Sequence, residues 1–431
     1  MRKLQLHHRI LIGMVLGAAI GLPLNLVAEQ GGVDVELVRE VARVGEAVGR
    51  LFLRLLQMIV VPLIVASLVT GVTGLGDPRD LGRLGGWTFA YYGLTSLLAI
   101  VVGIVMTNLV EPGRGVALEA LEAESQGQAV PDVVEGNRTL GQILWTQLTE
   151  MIPTNPVAAT AEGDMLPIIF FSLLFGLFIT FTGGEPGARL KTLFEDIFAV
   201  MMKMTMFVIE LAPIGVFGFM LYAAAGSGLG AFIALGKYMI TVVLALAVHA
   251  LVTLPILLSL LARRSPLAFA RAMWPALLTA FSTASSNATL PLTLTSIEER
   301  AGVSNRVSSF VLPLGATVNM DGTALYEAVA VLFIAQAFGA DLTLAQQVIV
   351  AFTALLASVG AAGIPHAGTV MMVVVLEAVG LPATAVGLIL AVDRVLDMAR
   401  TSVNVWSDST AAAVVARLDR VTATPDESGV S

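Results

Sequence analysis

Five polar side chains recur at helical spacing near the C-terminal end of the chain, at Asp393, Asp397, Arg400, Asn404 and Asp408. At 100° per residue they share an arc of about 80° on one helix face. A charge at the centre of a membrane costs at least about 2.5 kcal/mol, so these groups need one another, water or a ligand. A ladder of ion pairs between helices is one interpretation. Because Arg400 can bind only one carboxylate in a bidentate manner, the spare carboxylates favour a bound cation.

A second polar cluster, Asn-Met-Asp-Gly-Thr at 319–323, interrupts another apolar segment. Its side chains point in nearly every direction around a helix, and Gly322 weakens the helix. We therefore predict an unwound turn with free main-chain carbonyl groups. Carbonyl, amide and carboxylate oxygens without cysteine or histidine clusters suit a small hard cation. Glu327 lies two turns beyond Asn319, where a lone buried carboxyl group either carries a proton or is a neutral structural acid.

The chain that carries these groups is too apolar for a soluble protein. It has 431 residues, of which 56% are hydrophobic and 13% charged, whereas soluble domains are about 25% charged. The net charge is -8, whereas nucleic-acid-binding proteins carry a basic surface. The absence of cysteine excludes disulfides, thiolate metal sites and cysteine catalysis. Composition therefore predicts an integral membrane protein with membrane lipid, and no nucleic acid, as a partner.

Eight apolar segments are long enough to cross a bilayer as helices. They are residues 10–28, 55–76, 87–110, 165–182, 197–225, 231–262, 308–338 and 384–416. Lysine and arginine near the segment ends mark the cytoplasmic side. Arg2, Lys3 and Arg9 place the N-terminus there, and alternation places the C-terminus on the same side and segment 111–164 outside. The amphipathic stretch 35–54 is expected to lie along the membrane interface.

Two further apolar stretches, 266–297 and 344–381, each contain a polar tip. The first tip is Ser-Thr-Ala-Ser-Ser-Asn-Ala-Thr-Leu-Pro at 282–291, and the second, at 358–369, is rich in glycine. Such a tip must be buried in protein or face water, because lipid cannot satisfy its backbone groups. The lysines and arginines near the span ends all fall on the cytoplasmic side only if each of these stretches enters and leaves the membrane on the same side. We therefore predict two re-entrant hairpins with arms of about half a bilayer, the alternative being one kinked helix each.

Each predicted hairpin is followed by a span that carries polar groups. Two such units of like design are typical of an inverted repeat with the substrate site between its halves. The helix breaks also leave half-helix N-termini whose positive dipole ends suit a carboxylate. The residues alone thus predict a cation-coupled site for an anionic solute.

Four motifs in this order resemble the glutamate/aspartate transporter family, the dicarboxylate/amino acid:cation symporters that include the excitatory amino acid transporters. They are Ser-Ser-Asn-Ala-Thr-Leu-Pro at 285–291, Asn-Met-Asp-Gly-Thr-Ala-Leu-Tyr-Glu at 319–327, Gly-Ile-Pro-His-Ala-Gly at 363–368 and Asp-Met-Ala-Arg-Thr-Ser-Val-Asn at 397–404. The resemblance covers essentially the whole chain and is strongest after about residue 250. Tyr-Tyr-Gly-Leu-Thr-Ser at 91–96 is also similar to the family pattern.

The resemblance implies an all-α homotrimer in the cell (inner) membrane, with eight spans and two re-entrant hairpins per protomer. A transport part would slide across the membrane like an elevator, with the second hairpin as its gate. The resemblance also implies how the chain divides into parts. The scaffold helices would be at 1–86 and 165–230, and the external loop at 111–164. The transport part would comprise helix 3 at 87–110 and the core at 231–420, followed by a disordered tail at 421–431.

The same resemblance implies the site residues. Arg400 would bind the side-chain carboxylate of an acidic amino acid and Asp397 its α-amino group, within a substrate site completed by Ser286, Thr323, Ile364, Gly368, Thr401 and Asn404. Three sodium sites would draw on Tyr92, Thr95, Ser96, Gly315, Thr317, Asn319, Asp321, Ser358, Val359, Ala361, Asn404 and Asp408. Glu327 resembles members that carry protons and counter-transport potassium, so H⁺ and K⁺ are further candidate ions besides Na⁺.

The predicted function is sodium symport of glutamate or aspartate, since members for neutral amino acids lack an arginine at the position of Arg400. A proton-coupled symporter using Glu327 and a C4-dicarboxylate symporter are the alternatives, although a dicarboxylate gives Asp397 no ammonium to bind. Three departures stand out: Asn287 follows two serines where three serines are common, the usual nearby arginine is replaced by Ala284 and Met398, and His366 stands at the gate.

Two other classes fit less well. An intramembrane aspartyl protease would pair Asp321 with Asp397, but no Gly-x-Gly-Asp sequence surrounds either residue. Serine chemistry would need Ser285 or Ser286 beside His366. A channel would conduct without accumulating solute, which uphill uptake distinguishes. We therefore expect a transporter and not an enzyme.

Overall fold

The computed structural model describes residues 6–30, 32, 34–74, 84–114, 145, 149, 151–162, 165–360, 367–382 and 385–422, and regular structure within them is helical. The first helices are α1 (Leu6–Glu29), α2 (Val35–Thr73), α3 (Gly86–Val110), α4 (Pro156–Glu162), α5 (Met165–Thr182), α6 (Gly184–Glu210) and α7 (Ala212–Val248). Helical structure then continues through a π-helical turn His249–Thr253, the short α8 (Leu254–Leu257) and a second π-helical turn Leu258–Ala262.

The C-terminal half contains the elements that carry the predicted site. They are α9 (Pro266–Thr283), α10 (Ser286–Thr295), a π-helical turn Ser296–Arg300, α11 (Asn305–Val318), α12 (Asp321–Ala337), α13 (Leu344–Gly360), α14 (Ala367–Ala378) and α15 (Val386–Thr422). Helix α12 lies at the centre, because every residue from Asp321 to Ala335 is buried. It packs against α3, α13, α14 and α15.

Several helices are suited to a membrane. By length and hydropathy, four described helices can cross a bilayer: His8–Ala28, Gly86–Val110, Ile233–Ala262 and Asn305–Ala337. A fifth is formed if Gly184–Glu210 and Ala212–Gly226, which meet at a 45° bend, count as one span. The all-helical, apolar architecture agrees with the predicted class, and the count of eight spans stays a prediction.

Two predicted helix boundaries are wrong. The stretch 35–54 is not a separate interface helix, because α2 runs unbroken from Val35 to Thr73 with Pro62 inside it. A Cβ on Gly45 would lie 2.8 Å from the carbonyl oxygen of Gly218, so this stretch lies closely against α7. The break expected between 225 and 231 instead lies at Leu211, where α6 ends and α7 begins.

The first predicted hairpin forms a helical pair. Helices α9 and α10 pack against each other and are joined by Ala284, in the left-handed conformation with φ 50°, and Ser285, which is extended. The Ser285 hydroxyl accepts a hydrogen bond from the backbone N–H of Ala288 at 3.2 Å and so caps α10. The first arm has 18 residues and the second 10, so the first is longer than the half-span we expected.

The second predicted hairpin corresponds to α13 and α14, which also pack against each other. Its tip at 361–366 lies outside the described residues, and with it the predicted site residues Ala361 and Ile364 and the gate residue His366. Most of the predicted external loop 111–164 and residues 423–431 of the predicted tail lie outside them as well, whereas residues 421 and 422 still belong to α15.

Candidate functional site

An interruption between α11 and α12 positions the site. Asn319 (φ -100°, ψ 86°) and Met320 (φ -113°, ψ 55°) leave the helical conformation, which confirms the predicted unwound turn. Gly322 then brings the start of α12 against α15, because a Cβ there would lie 2.5 Å from the carbonyl oxygen of Arg400. The backbone N–H of Gly322 donates to the Asn404 Oδ1 at 2.7 Å.

Arg400 is the largest fully buried side chain in the described part of the protein, with 1% of its surface exposed. Its Nε donates to Asp397 Oδ1 at 3.0 Å and its Nη1 to Asp393 Oδ1 at 2.9 Å. The guanidinium carbon lies 4.2 Å from the centre of the Tyr326 ring. Nη2 lies 2.9 Å from Asp397 Oδ1 but makes no hydrogen bond with the described residues. The arginine is therefore neutralised while part of its donor capacity stays open.

Helices α12 and α14 complete the surroundings of Arg400. A Cβ on Gly368, near the start of α14, would lie 2.8 Å from Thr323 Cγ2 and 3.2 Å from Arg400 Cζ. Thr323 in turn accepts a hydrogen bond from Asn404 Nδ2 at 3.2 Å. The structure thus brings together Thr323, Gly368, Asp397, Arg400 and Asn404. Ser286 and Thr401, the remaining described members of the predicted substrate site, are both buried.

Asp321 forms the centre of a second polar cluster on the far side of the unwound turn. Its Oδ1 accepts from Ser96 Oγ on α3, and its Oδ2 accepts from Ser407 Oγ on α15, both at 2.6 Å. Thr95 is also buried and donates to the carbonyl oxygen of Tyr92 at 3.2 Å. Among the predicted sodium contributors on α3, Ser96 therefore contacts Asp321 directly.

Asp408 forms a third cluster with residues of α11 and α3. Asn319 Nδ2 donates to Asp408 Oδ1 at 2.9 Å, whereas Asn319 Oδ1 is buried without a donor among the described residues. A Cβ on Gly315 would lie 2.7 Å from Asp408 Cγ and 2.8 Å from Tyr92 Oη, so these groups surround one small space. Carboxylate and amide oxygens of this kind suit a hard monovalent or divalent cation.

The other predicted sodium contributors are less concentrated. Thr317 is half-buried and donates to the carbonyl oxygen of Leu314 at 3.0 Å, and Ser358 is buried and donates to that of Leu355 at 2.9 Å. Val359 is partly buried beside Ser358. The described residues contain no group of three or more histidines and carboxylates with the spacing of a metal centre.

Comparison with known proteins identifies the fold family. Residues 6–418 match the model of the sodium:dicarboxylate symporter family. The chain belongs to this family. The resemblance in its motifs to glutamate/aspartate transporters is thereby confirmed, as is the expectation of a multi-pass membrane transporter rather than a protease.

Three relatives align with most of the length of this symporter. It is 36% identical to the "Proton/glutamate-aspartate symporter" of Escherichia coli K12 over 96% of its own chain and 93% of the relative. It is 34% identical to the "Proton/sodium-glutamate symport protein" of Geobacillus stearothermophilus, over 97% of its own chain and 95% of the relative. It is also 37% identical to mouse "Excitatory amino acid transporter 4", over 86% of its own chain and 77% of the relative.

Sequence reasoning missed one buried residue of the polar cluster around Asp321. His249, in the π-helical turn after α7, is fully buried and its Nε2 lies 3.1 Å from Asp321 Oδ2. Its Nδ1 has no hydrogen-bond partner among the described residues. A titratable side chain in the middle of the apolar segment 231–262 was the available signal.

Glu327 stands apart from the polar clusters around Asp321 and Asp408. It is fully buried on α12, and neither carboxyl oxygen has a hydrogen-bond partner among the described residues. Burying an ionised carboxylate without such partners is costly, so a bound proton would stabilise this group. The structure agrees with the prediction of a lone buried acid and leaves both of its interpretations, proton carrier and structural acid, in place.

Proposed function

We propose that this chain is a secondary active symporter that takes up L-glutamate and L-aspartate together with sodium ions. The observation that carries the proposal is the environment of Arg400, which is buried where α12, α14 and α15 meet and has an unused Nη2 donor. A substrate carboxylate would accept that donor in a charge-assisted hydrogen bond. The names of the bacterial relatives, which mention glutamate, agree with this substrate class.

Asp397 favours an amino acid over a C4-dicarboxylate. It lies directly beside the Arg400 guanidinium and 3.6 Å from Arg394 Nη1, so a substrate bound there meets positive and negative groups side by side. An acidic amino acid offers a carboxylate to the first and an ammonium to the second. A dicarboxylate would instead bring its second carboxylate towards Asp397, which like-charge repulsion disfavours.

Sodium coupling rests on the clusters around Asp321 and Asp408. Both carboxylates are buried, and among the described residues neither forms an ion pair with a lysine or an arginine. The unpartnered Asn319 Oδ1 adds a hard oxygen ligand beside Asp408. A sodium ion in either cluster would supply the missing positive charge.

Proton coupling is the second candidate, and the isolation of Glu327 supports it. The Escherichia coli relative is named as a proton symporter, and the Geobacillus relative is named for both ions. In this version the proton would bind at Glu327, and potassium would return in counter-transport as the motif resemblance implies.

The proposed assembly is a homotrimer in the cell (inner) membrane with both termini in the cytoplasm. Residues 1–86 and 165–230 would hold the trimer, while 87–110 and 231–420 would move as an elevator. Hairpin 2 would be the gate. The contact of Gly368 with Thr323 and Arg400 supports that role, because withdrawing α14 would uncover the substrate site.

Uptake of radiolabelled aspartate, glutamate and succinate into proteoliposomes tests the function. An inward sodium gradient is compared with an inward proton gradient at a fixed membrane potential. Uphill uptake of the amino acids driven by sodium supports the main proposal, and uptake driven by protons alone contradicts it in favour of Glu327. Accumulation of succinate in place of both amino acids contradicts the substrate assignment.

A further inference from the structure

A groove separate from the substrate and cation clusters opens beside the first hairpin. It has a volume of about 520 Å³ and lies between α9, the helical segment around residues 250–255 and α15. This volume is within the range of ligand pockets, roughly 300–1,000 Å³. Trp274 and Leu267 on α9 line it and are 58% and 63% exposed. The groove is thus an open apolar surface and not a closed internal cavity.

The few polar groups of the groove are already satisfied. Ser402 Oγ donates to the carbonyl oxygen of Leu277 at 3.1 Å, which joins α15 to the hairpin. Trp406 Nε1 donates to the carbonyl oxygen of Ala250 at 3.1 Å. With no free donor in its floor, the groove suits a hydrocarbon chain.

Two exposed arginines lie in the chain next to the groove residues at the start of α9. Leu267, Arg271, Trp274 and Leu278 follow spacings of four, three and four residues, so Arg271 lies on the groove-lining face of α9. Arg263 lies just before α9, in a left-handed turn with φ 51°. Both arginines are exposed, and neither forms an ion pair with an acidic residue in the described part of the chain.

We propose that this groove binds an anionic phospholipid, with an acyl chain along Trp274 and the phosphate between Arg263 and Arg271. Surrounding lipid is as apolar as the groove, so the chain alone gives no selectivity. Selectivity between lipids therefore depends on the headgroup. Basic side chains at the cytoplasmic end of membrane helices attract anionic lipids. The Lys and Arg distribution predicts that orientation for residues 263–264.

The bound lipid would contact the joint between the hairpin and the substrate-site helix. Ser402, whose hydroxyl makes that joint, lies two residues from both Arg400 and Asn404 along α15. Lipid composition would consequently influence how the first hairpin packs on the site, independently of which solute or ion the protein carries.

Quenching of tryptophan fluorescence by brominated lipids tests the proposal. Replacing Trp87 and Trp145 by phenylalanine leaves Trp274 and Trp406, the two groove tryptophans, as reporters. The protein is reconstituted in phosphatidylcholine with small fractions of brominated phosphatidylglycerol or brominated phosphatidylcholine. We expect the anionic lipid to associate roughly 25-fold more tightly, since each of the two basic side chains near the surface contributes about a fivefold preference.

The double variant R263Q/R271Q should lose this preference, with quenching by the two lipids becoming equal. R189Q/K191Q removes the same charge at the same predicted membrane face but away from the groove, and it should keep the preference. Equal quenching in the unaltered arginine background overturns the proposal. So does a preference that survives R263Q/R271Q or is lost equally in R189Q/K191Q. Circular dichroism and gel filtration verify that each variant is folded, and the readout needs no transported substrate.

Discussion

Replacing Gly315 by alanine is a sharp test of the Asp408 cluster as a sodium site. The added Cβ would lie 2.7 Å from Asp408 Cγ, closer still to its Oδ1, and 2.8 Å from Tyr92 Oη. The carboxylate must retreat by roughly 0.7 Å or more to regain ordinary van der Waals separation. That movement also strains the 2.9 Å hydrogen bond between Asn319 Nδ2 and Asp408 Oδ1.

The expected size of the effect follows from overpacking. Forcing a methyl group into a filled site typically costs about 1–3 kcal/mol. If sodium binding requires the original carboxylate position, the half-saturating sodium concentration should rise by roughly 5- to 150-fold. The substrate contacts of Arg400 are made by other residues, so saturating sodium should restore most of the aspartate affinity.

Thermal unfolding of the purified protein across a sodium titration measures this shift, since a ligand that binds only the folded state raises the Tm with concentration. Gly236→Ala is the matched control, because a Cβ on Gly236 has no neighbouring atom within 4 Å. A G315A protein with a lowered Tm but an unchanged sodium titration would refute the sodium assignment, leaving only a packing role for Gly315.

Substitutions at three further residues test neighbouring groups. Arg400→Lys keeps the charge but loses the planar fork, so aspartate affinity in proteoliposome uptake should fall more than tenfold while sodium-induced stabilisation persists; unchanged affinity would contradict a direct carboxylate contact. His249→Leu removes the hydrogen bond that holds Asp321 Oδ2 in place, so the half-saturating sodium concentration should rise about fivefold or more, with His249→Gln intermediate. Equal sodium titrations for the unaltered protein and both variants would exclude a role of His249 at that site. Glu327→Gln should abolish any acceleration of uptake by an inward proton gradient and leave sodium-driven uptake intact, whereas persistent proton-driven uptake would exclude Glu327 as the carrier.

Local signals predicted the site better than they predicted the helices. Gly322 within a polar run was sufficient to predict the interruption at Asn319 and Met320, because a helix break depends on nearby residues. Helical spacing likewise placed Asp397, Arg400 and Asn404 on one face, and contacts confirm that they share one region.

Tertiary contacts explain what the sequence could not provide. The close approach of α2 to α7 joins Gly45 to Gly218, which lies far away along the chain. The partnership of His249 with Asp321 joins residues 72 positions apart. The sequence did not predict that Arg400 donates hydrogen bonds to both Asp393 and Asp397. Helical spacing predicts which residues lie close together, but not which of them form hydrogen bonds.

The complete burial of α12 from Asp321 to Ala335 has a kinetic consequence. Amide hydrogens on such a central helix exchange with solvent only through the largest opening events of a protein. Deuterium uptake along this stretch should therefore be the slowest in the molecule, and the start of α12 beside Arg400 should be protected before any ligand arrives. A ligand that binds here meets a preformed surface, and its protective effect should be found in α14 instead.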